Sequence, residues 1–236
     1  RGTGGQTITL QLATGNEVET TDDDGSAQDP HLVFTPNDKP TDLIVDSYVD
    51  NTLDTIHGTG QLTLREALLW AKTDAMIDTI TFAAASTITL DSQLTIDTGV
   101  VIDGQVGNDQ VEISGGNSTR IFEVADDTGA TIRNMTLADG SADAGGSGDT
   151  GGAIYAEGDL TLFRVTIEDS QAAADGGGVA FAGDSLETRL QIIDSTIKNN
   201  NALLGAGINI TGGTVVIEGS TISGNGVTTQ AIVGGG

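Results

Sequence analysis

Cysteine is absent from this chain, so disulfides play no part in holding it together. Aromatic residues are also few, 3% of 236 residues. Basic residues are scarce: nine Lys and Arg stand against 34 Asp and Glu, a formal net charge of -25. That balance repels nucleic acid and anionic lipid. It also leaves too few cations to line a cleft for an anionic sugar. No run approaches the ~18 consecutive apolar residues that a membrane-spanning helix needs. The two histidines are His31 and His57, and neither falls in the periodic part of the chain.

Glycine is what the chain has in excess, 34 residues, about twice ordinary usage. The glycines are periodic. Clusters open at Gly151-Gly152-Ala153-Ile154, Gly176-Gly177-Gly178-Val179 and Gly205-Ala206-Gly207-Ile208, with a further one at Gly234. A second block recurs between them, as Leu162 to Ile167, Ile192 to Ile197 and Ile217 to Ile222, with an earlier copy at Ile132 to Leu137. Its threonines, Thr136, Thr166, Thr196 and Thr221, are spaced by 30, 30 and 25 residues. Periods in this range mean stacked units, each too thin to bury its own core. The units are rich in Thr, Ile and Val, alternate apolar with polar residues, and are bounded by Gly, Asn and Asp, which makes them strands. The fold class is therefore all-β: a β-solenoid, read as a right-handed parallel β-helix.

Aligning the threonines predicts the interior. Ile132, Leu162, Ile192 and Ile217 form one buried row, and Leu137, Ile167, Ile197 and Ile222 another. Ile154, Val179 and Ile208 form a third. Asn134, Arg164, Asp194 and Gly219 fall where the strand must bend. Gly140, Ser170, Asn200 and Asn225 share a turn slot from which Asn side chains can pass hydrogen bonds between coils. The Thr row faces outward.

Residues 79–236 are assigned to the β-helix, with irregular first coils from Thr79 to Val124 and a stack expected to continue past Gly236. The Gly- and Asp-rich segment from Ala138 to Thr150 is expected to protrude. Residues 47–78 form the module that opens the stack. Within it, 63–73 read as a helix with a Thr63/Glu66 capping box and an apolar face of Leu64, Ala67, Leu68 and Ala71. Laid across the open end of the solenoid, this short helix caps it. Glu66 then serves as a cap and Arg65 pairs locally. Residues 1–46 lie outside the repeat. They read as a β-rich segment, either the tail of a preceding β-sandwich domain or the first strands of the solenoid. The run Asp22-Asp23-Asp24 is a calcium candidate, since clustered carboxylates supply the oxygen ligands that ion takes. The alternative is a solvated acidic loop.

These residues carry two resemblances. The pairing of Gly-Gly-Ala-Ile with a later Ile-x-x-Asn, at Ile197 to Asn200 and Ile222 to Asn225, is similar to the repeats of the polymorphic outer-membrane protein family, with Ile where that family has Phe. Leu62-Thr63-Leu64-Arg65-Glu66-Ala67-Leu68, preceded by Val49-Asp50-Asn51-Thr52 and followed by Asp78-Thr79-Ile80-Thr81-Phe82, resembles the CSLREA-type module of large secreted β-helix proteins. Leu62 stands at that motif's cysteine position. Together they span about residues 47–236, and they imply an extracellular or cell-surface location.

No residue is assigned a catalytic, cofactor or metal role beyond the calcium candidates. Asp126 and Asp127, and Asp194 beside Arg164 on the adjacent coil, are the carboxylates an enzyme would use. Yet the Asn-Thr-Asp block and Gly-His-Gly that likeness to β-helix hydrolases would bring are missing. The reading is a structural and interaction segment of a large secreted or surface protein, adhesin- or stalk-like, with surface glycans or extracellular proteins as partners. The alternative is a carbohydrate-active β-helix, a polysaccharide lyase or hydrolase, with its active coil at Asp126 or Asp194 or absent from this segment.

Overall fold

A computed structural model of the protein describes residues 42–50, 62–73, 76–142 and 149–227. Short alternating strands end at residues that tolerate a left-handed backbone, so the chain turns every few residues and stacks on itself as a parallel β-helix. The first face has seven rungs: Leu43–Val45, Asp78–Phe82, Val100–Asp103, the first halves of Gly129–Ala138 and Asp159–Glu168, Arg189–Ile193 and Thr214–Glu218. The second face carries Thr87–Thr89, Asp109–Ser114, the second halves of the two long strands, Thr196–Lys198 and Thr221–Ser223. A ladder of two-residue strands follows, Ser141–Ala142, Gln171–Ala172, Asn201–Ala202 and Gly226–Val227. The third face stacks Leu94–Ile96, Phe122–Val124, Ile154–Ala156, Val179–Ala182 and Ile208–Gly212.

The corners are columns of left-handed residues. Asn134, Arg164, Asp194 and Gly219 bend the first face into the second with φ of 53°, 55°, 48° and 60°, where the sequence placed the bend. Asp139, Asp169, Asn199 and Gly224 close the second face in the same conformation. Gly151, Gly176 and Gly205 open the third face with φ of 70°, 64° and 53°. A Cβ there would lie 2.4 to 2.5 Å from the carbonyl oxygens of Ile154, Val179 and Ile208. Only glycine fits that approach, which explains the periodic clusters.

The predicted rows are in register: Ile132, Leu162, Ile192 and Ile217 are successive partners on the first face. The first three are fully buried, each worth about 1.5–3 kcal/mol of apolar transfer. Ile217, expected to be buried, is 42% exposed, and Ile222 is 47% exposed in its own row. They belong to the last described rung, and no described residue stacks on them.

A helix, Leu64–Ala71, packs against the first two rungs of the first face. Thr63 is its N-cap and not its first residue. The Thr63 side chain accepts from the Glu66 N–H, and the Glu66 carboxylate accepts from the Thr63 N–H at 2.9 Å. Leu64, Ala67, Leu68, Trp70 and Ala71 join the same continuous core as the strands. Arg65 is structural, as expected, but its partners are not local. Its guanidinium makes a two-point ion pair with the buried carboxylate of Asp50, 2.8 and 2.7 Å, and donates to the carbonyls of Ser92 and Gln93 at 2.7 and 3.1 Å. It ties the helix to the turn that opens the third face. Leu43–Val45 pairs in parallel with Ile80–Phe82 as the first rung of the stack.

One early coil departs from the expected pattern. Where later coils turn on a single left-handed residue, Gln105–Val106 and Asp109–Gln110 form an antiparallel hairpin. Its turn is Gly107-Asn108, with Gly107 at φ 59°, and this hairpin juts from the corner between the first two faces.

Candidate interaction surface

The structure separates the carboxylates that chemistry would need together. Asp126 and Asp127 are exposed in the turn leading into the 129–138 strand, Asp127 at φ 56° with its N–H on Asp126 Oδ1 at 2.9 Å. This is a turn stabilised by its own side chain. Asp194 lies at the opposite edge of the first face and two rungs further along. Arg164 and Asp194 do occupy one corner column, as the alignment implied, and both are exposed. The Arg164 guanidinium lies 4.6 Å from the centre of the Phe163 ring, and the described ion pairs do not include one between Arg164 and Asp194. Among the described residues no group of three or more metal-ligating side chains gathers. Asp22, Asp23 and Asp24 lie outside the described residues, as do positions 143–148 of the segment expected to protrude.

Ala138 and Ser141–Ala142 of that segment are strand residues paired within the stack and do not protrude, and its far end is held by Arg120, to which the sequence pattern assigns no role. Arg120, 7% exposed, donates from Nε to the Gly151 carbonyl at 3.0 Å and from Nη2 to the Thr150 carbonyl at 2.7 Å. Its Nη1 reaches Gln93 Oε1 at 2.9 Å and Glu123 at 3.5 Å, while Gln93 also donates to Glu123. Burial lowers the guanidinium's pKa, and Glu123 works against that. Tyr155 stacks beside it, 5.4 Å from ring centre to guanidinium. The phenol donates to Glu157 at 2.9 Å. Burial first, then that hydrogen bond, pushes its pKa up to about 12. The third face thus carries a polar network spanning three coils, in which Arg120 pins the Thr150 and Gly151 carbonyls just before the Ile154–Ala156 strand. The sequence clue was an arginine just before an aliphatic strand, but its partners lie about thirty residues away on either side.

On the outer side of the first face one column reads Asp103, Arg133, Phe163, Ile193 and Glu218. Arg133 pairs with Asp103 at 2.9 Å, and Asn134 donates to the same carboxylate at 2.8 Å. The neighbouring outer column includes Thr131, Thr161 and Gln191, with Thr161 and Gln191 in hydrogen-bond contact at 3.3 Å.

The described residues therefore define a solenoid protein, a stack of parallel rungs with its side chains sorted into an aliphatic interior and polar outer columns. Residues 77–236 match the family described as right handed beta helix region, and the chain belongs to that family. No curated protein and no solved structure matches it. No helix among the described residues is long and apolar enough to cross a membrane.

Proposed function

We propose that this chain is a structural and interaction segment of a secreted or cell-surface protein, a stalk or adhesin shaft acting through shape and outer side chains. The observation that carries the reading is the hydrogen-bonded spine of the stack. Two side-chain ladders run from coil to coil inside it. In one, Ser170 Oγ accepts from the Gly140 N–H, Asn200 Oδ1 from Ser170 and Asn225 Oδ1 from Asn200, at 2.9 to 3.0 Å. In the other, Ser195 Oγ accepts from the Val165 N–H at 3.1 Å and Ser220 Oγ from Ser195 at 3.0 Å. Buried, satisfied networks of this kind rigidify and specify a single register. A seven-rung face at about 4.8 Å per rung makes a rod about 30 Å long.

Such a rod presents fixed columns of side chains to a partner. The net charge of -25 disfavours nucleic acid and other polyanions as that partner. The test is incubation of the chain with neutral and uronic polysaccharides, with and without calcium, followed by assays for reducing ends and unsaturated products. The expected result is retention of a partner without cleavage. Product formation abolished by Asp126→Ala or Asp194→Ala would overturn the reading in favour of a lyase or hydrolase.

A further inference from the structure

We infer that the outer side of the first face around Phe163 is a subsite for a neutral, hydroxyl-rich oligosaccharide. This rests on the reading of the stack as an interaction surface, and adds the place and the ligand class. Among the described phenylalanines, Phe82, Phe122 and Phe181 are buried while Phe163 sits in an outward column, half-buried. The interior rows are complete without its ring.

Its neighbour is the second observation. Among the described non-glycine residues with positive φ, Arg164, at 55°, is the one that is neither Asn nor Asp. The same corner is filled by Asn134, Asp194 and Gly219 in the other coils. Asn and Asp relieve the left-handed backbone with a short local hydrogen bond, and arginine has no such device. The turn itself would be better served by Asn. What arginine adds is a planar, weakly hydrated cation stacked at 4.6 Å on the one outward phenylalanine ring described.

Charge selects the ligand class. Within two rungs of the ring Arg133 and Arg164 stand against Asp103, Asp194 and Glu218, so the patch has no net positive charge, on a chain of net charge -25. An anionic polymer gains little there and is repelled by the rest of the molecule, and a basic partner is drawn to the acidic remainder instead. A neutral sugar fits. Its C–H groups pack on the part of the ring that the stacked guanidinium leaves uncovered, and its hydroxyls donate to carboxylates and accept from the guanidinium N–H groups.

The experiment measures retention of the full chain on immobilised neutral and uronic polysaccharides, for wild type, Phe163→Ala and Arg164→Asn, alongside melting temperature. The expected result is retention on a neutral glycan, weakened at least tenfold by either substitution, with Arg164→Asn melting no lower than wild type. Retention unchanged by both variants would overturn the site while leaving the interaction reading intact. Retention confined to uronic polymers would overturn the ligand class. Retention on none, or an Arg164→Asn protein that binds less because it melts well below wild type, would overturn the inference.

Discussion

Asn225 supports Asn200 across one coil step: its Oδ1 accepts the Asn200 backbone N–H at 2.9 Å and the Asn200 Nδ2 at 3.1 Å. Asn200 repeats the arrangement one coil earlier, accepting the Ser170 N–H at 3.0 Å and donating to the Ile167 carbonyl at 3.1 Å. Asn200 is fully buried and Asn225 is not. Asn200→Ala orphans a buried donor and a buried acceptor, at about 1–3 kcal/mol each, so a loss of about 2–6 kcal/mol is expected. Asn225→Ala should cost about 1 kcal/mol, because water can replace the amide. Urea midpoints measure both. Equal losses, or under about 0.5 kcal/mol for Asn200→Ala, would show that the ladder does not carry the stack.

This ladder was legible in the sequence because it repeats at the same spacing as the threonines. So were the aliphatic rows, the bend column and the helix cap, each written within a few residues or at a fixed period. The hairpin Gln105–Gln110 was not, since it interrupts the period in a coil that precedes the regular ones. The serine ladder was half visible. Met135, Val165, Ser195 and Ser220 share a column just past the bend, and the change from apolar to Ser marks where side chains begin to satisfy the backbone. The networks of Arg65 and Arg120 were out of reach. Their partners are carbonyls and carboxylates brought near by stacking, and spacing carries no signal for them. The pairing of Phe163 with Arg164 was adjacent in sequence all along, but the outward direction of the ring follows only from the register.

Two isoleucines in one row test how far the core extends. Ile192 is fully buried and Ile217 is 42% exposed. Ile192→Ala should cost about 2–5 kcal/mol, transfer plus cavity, and Ile217→Ala about 1 kcal/mol or less. Ile192→Asp should unfold its coil, because an unpaired carboxylate is strongly disfavoured there. Similar losses at the two alanine positions would mean that something covers Ile217 in solution as completely as Ile192 is covered.

Alkaline stability should report Tyr155. Its folded pKa of about 12 lies above the value near 10 of a tyrosine in an unfolded chain. Between about pH 10 and 12 the folded state holds a proton that the unfolded state has released, so stability falls as pH rises through that window. Below about pH 10 the contribution is complete. The ring is partly exposed, and solvent screening keeps the effect modest. Tyr155→Phe should therefore show a shallower decline in urea midpoint from pH 10 to 12. Parallel curves for the two proteins would remove Tyr155 from the account.

Arg120 gives the last prediction, and hydrogen exchange reads it locally. Its guanidinium reaches the carbonyls of Thr150 and Gly151, Gln93 and Glu123 from one planar fork. A lysine keeps the charge but offers one nitrogen, which cannot sit on all these acceptors at once. Arg120→Lys should therefore loosen the corner at Thr150 and Gly151. The amides to watch are Gly151, bonded to the Asp175 carbonyl at 2.9 Å, Gly152, bonded to Gly176 at 3.0 Å, and Ala174, bonded to Asp149 at 2.8 Å. Their exchange should quicken at least tenfold, the rate equivalent of about 1.4 kcal/mol of local stability. The Ser170 and Asn200 amides, held by the asparagine ladder, should keep their wild-type rates. Uniform acceleration of both sets would mean that Arg120 supports the whole coil. No change at Gly151 or Ala174 would mean that the corner holds without it.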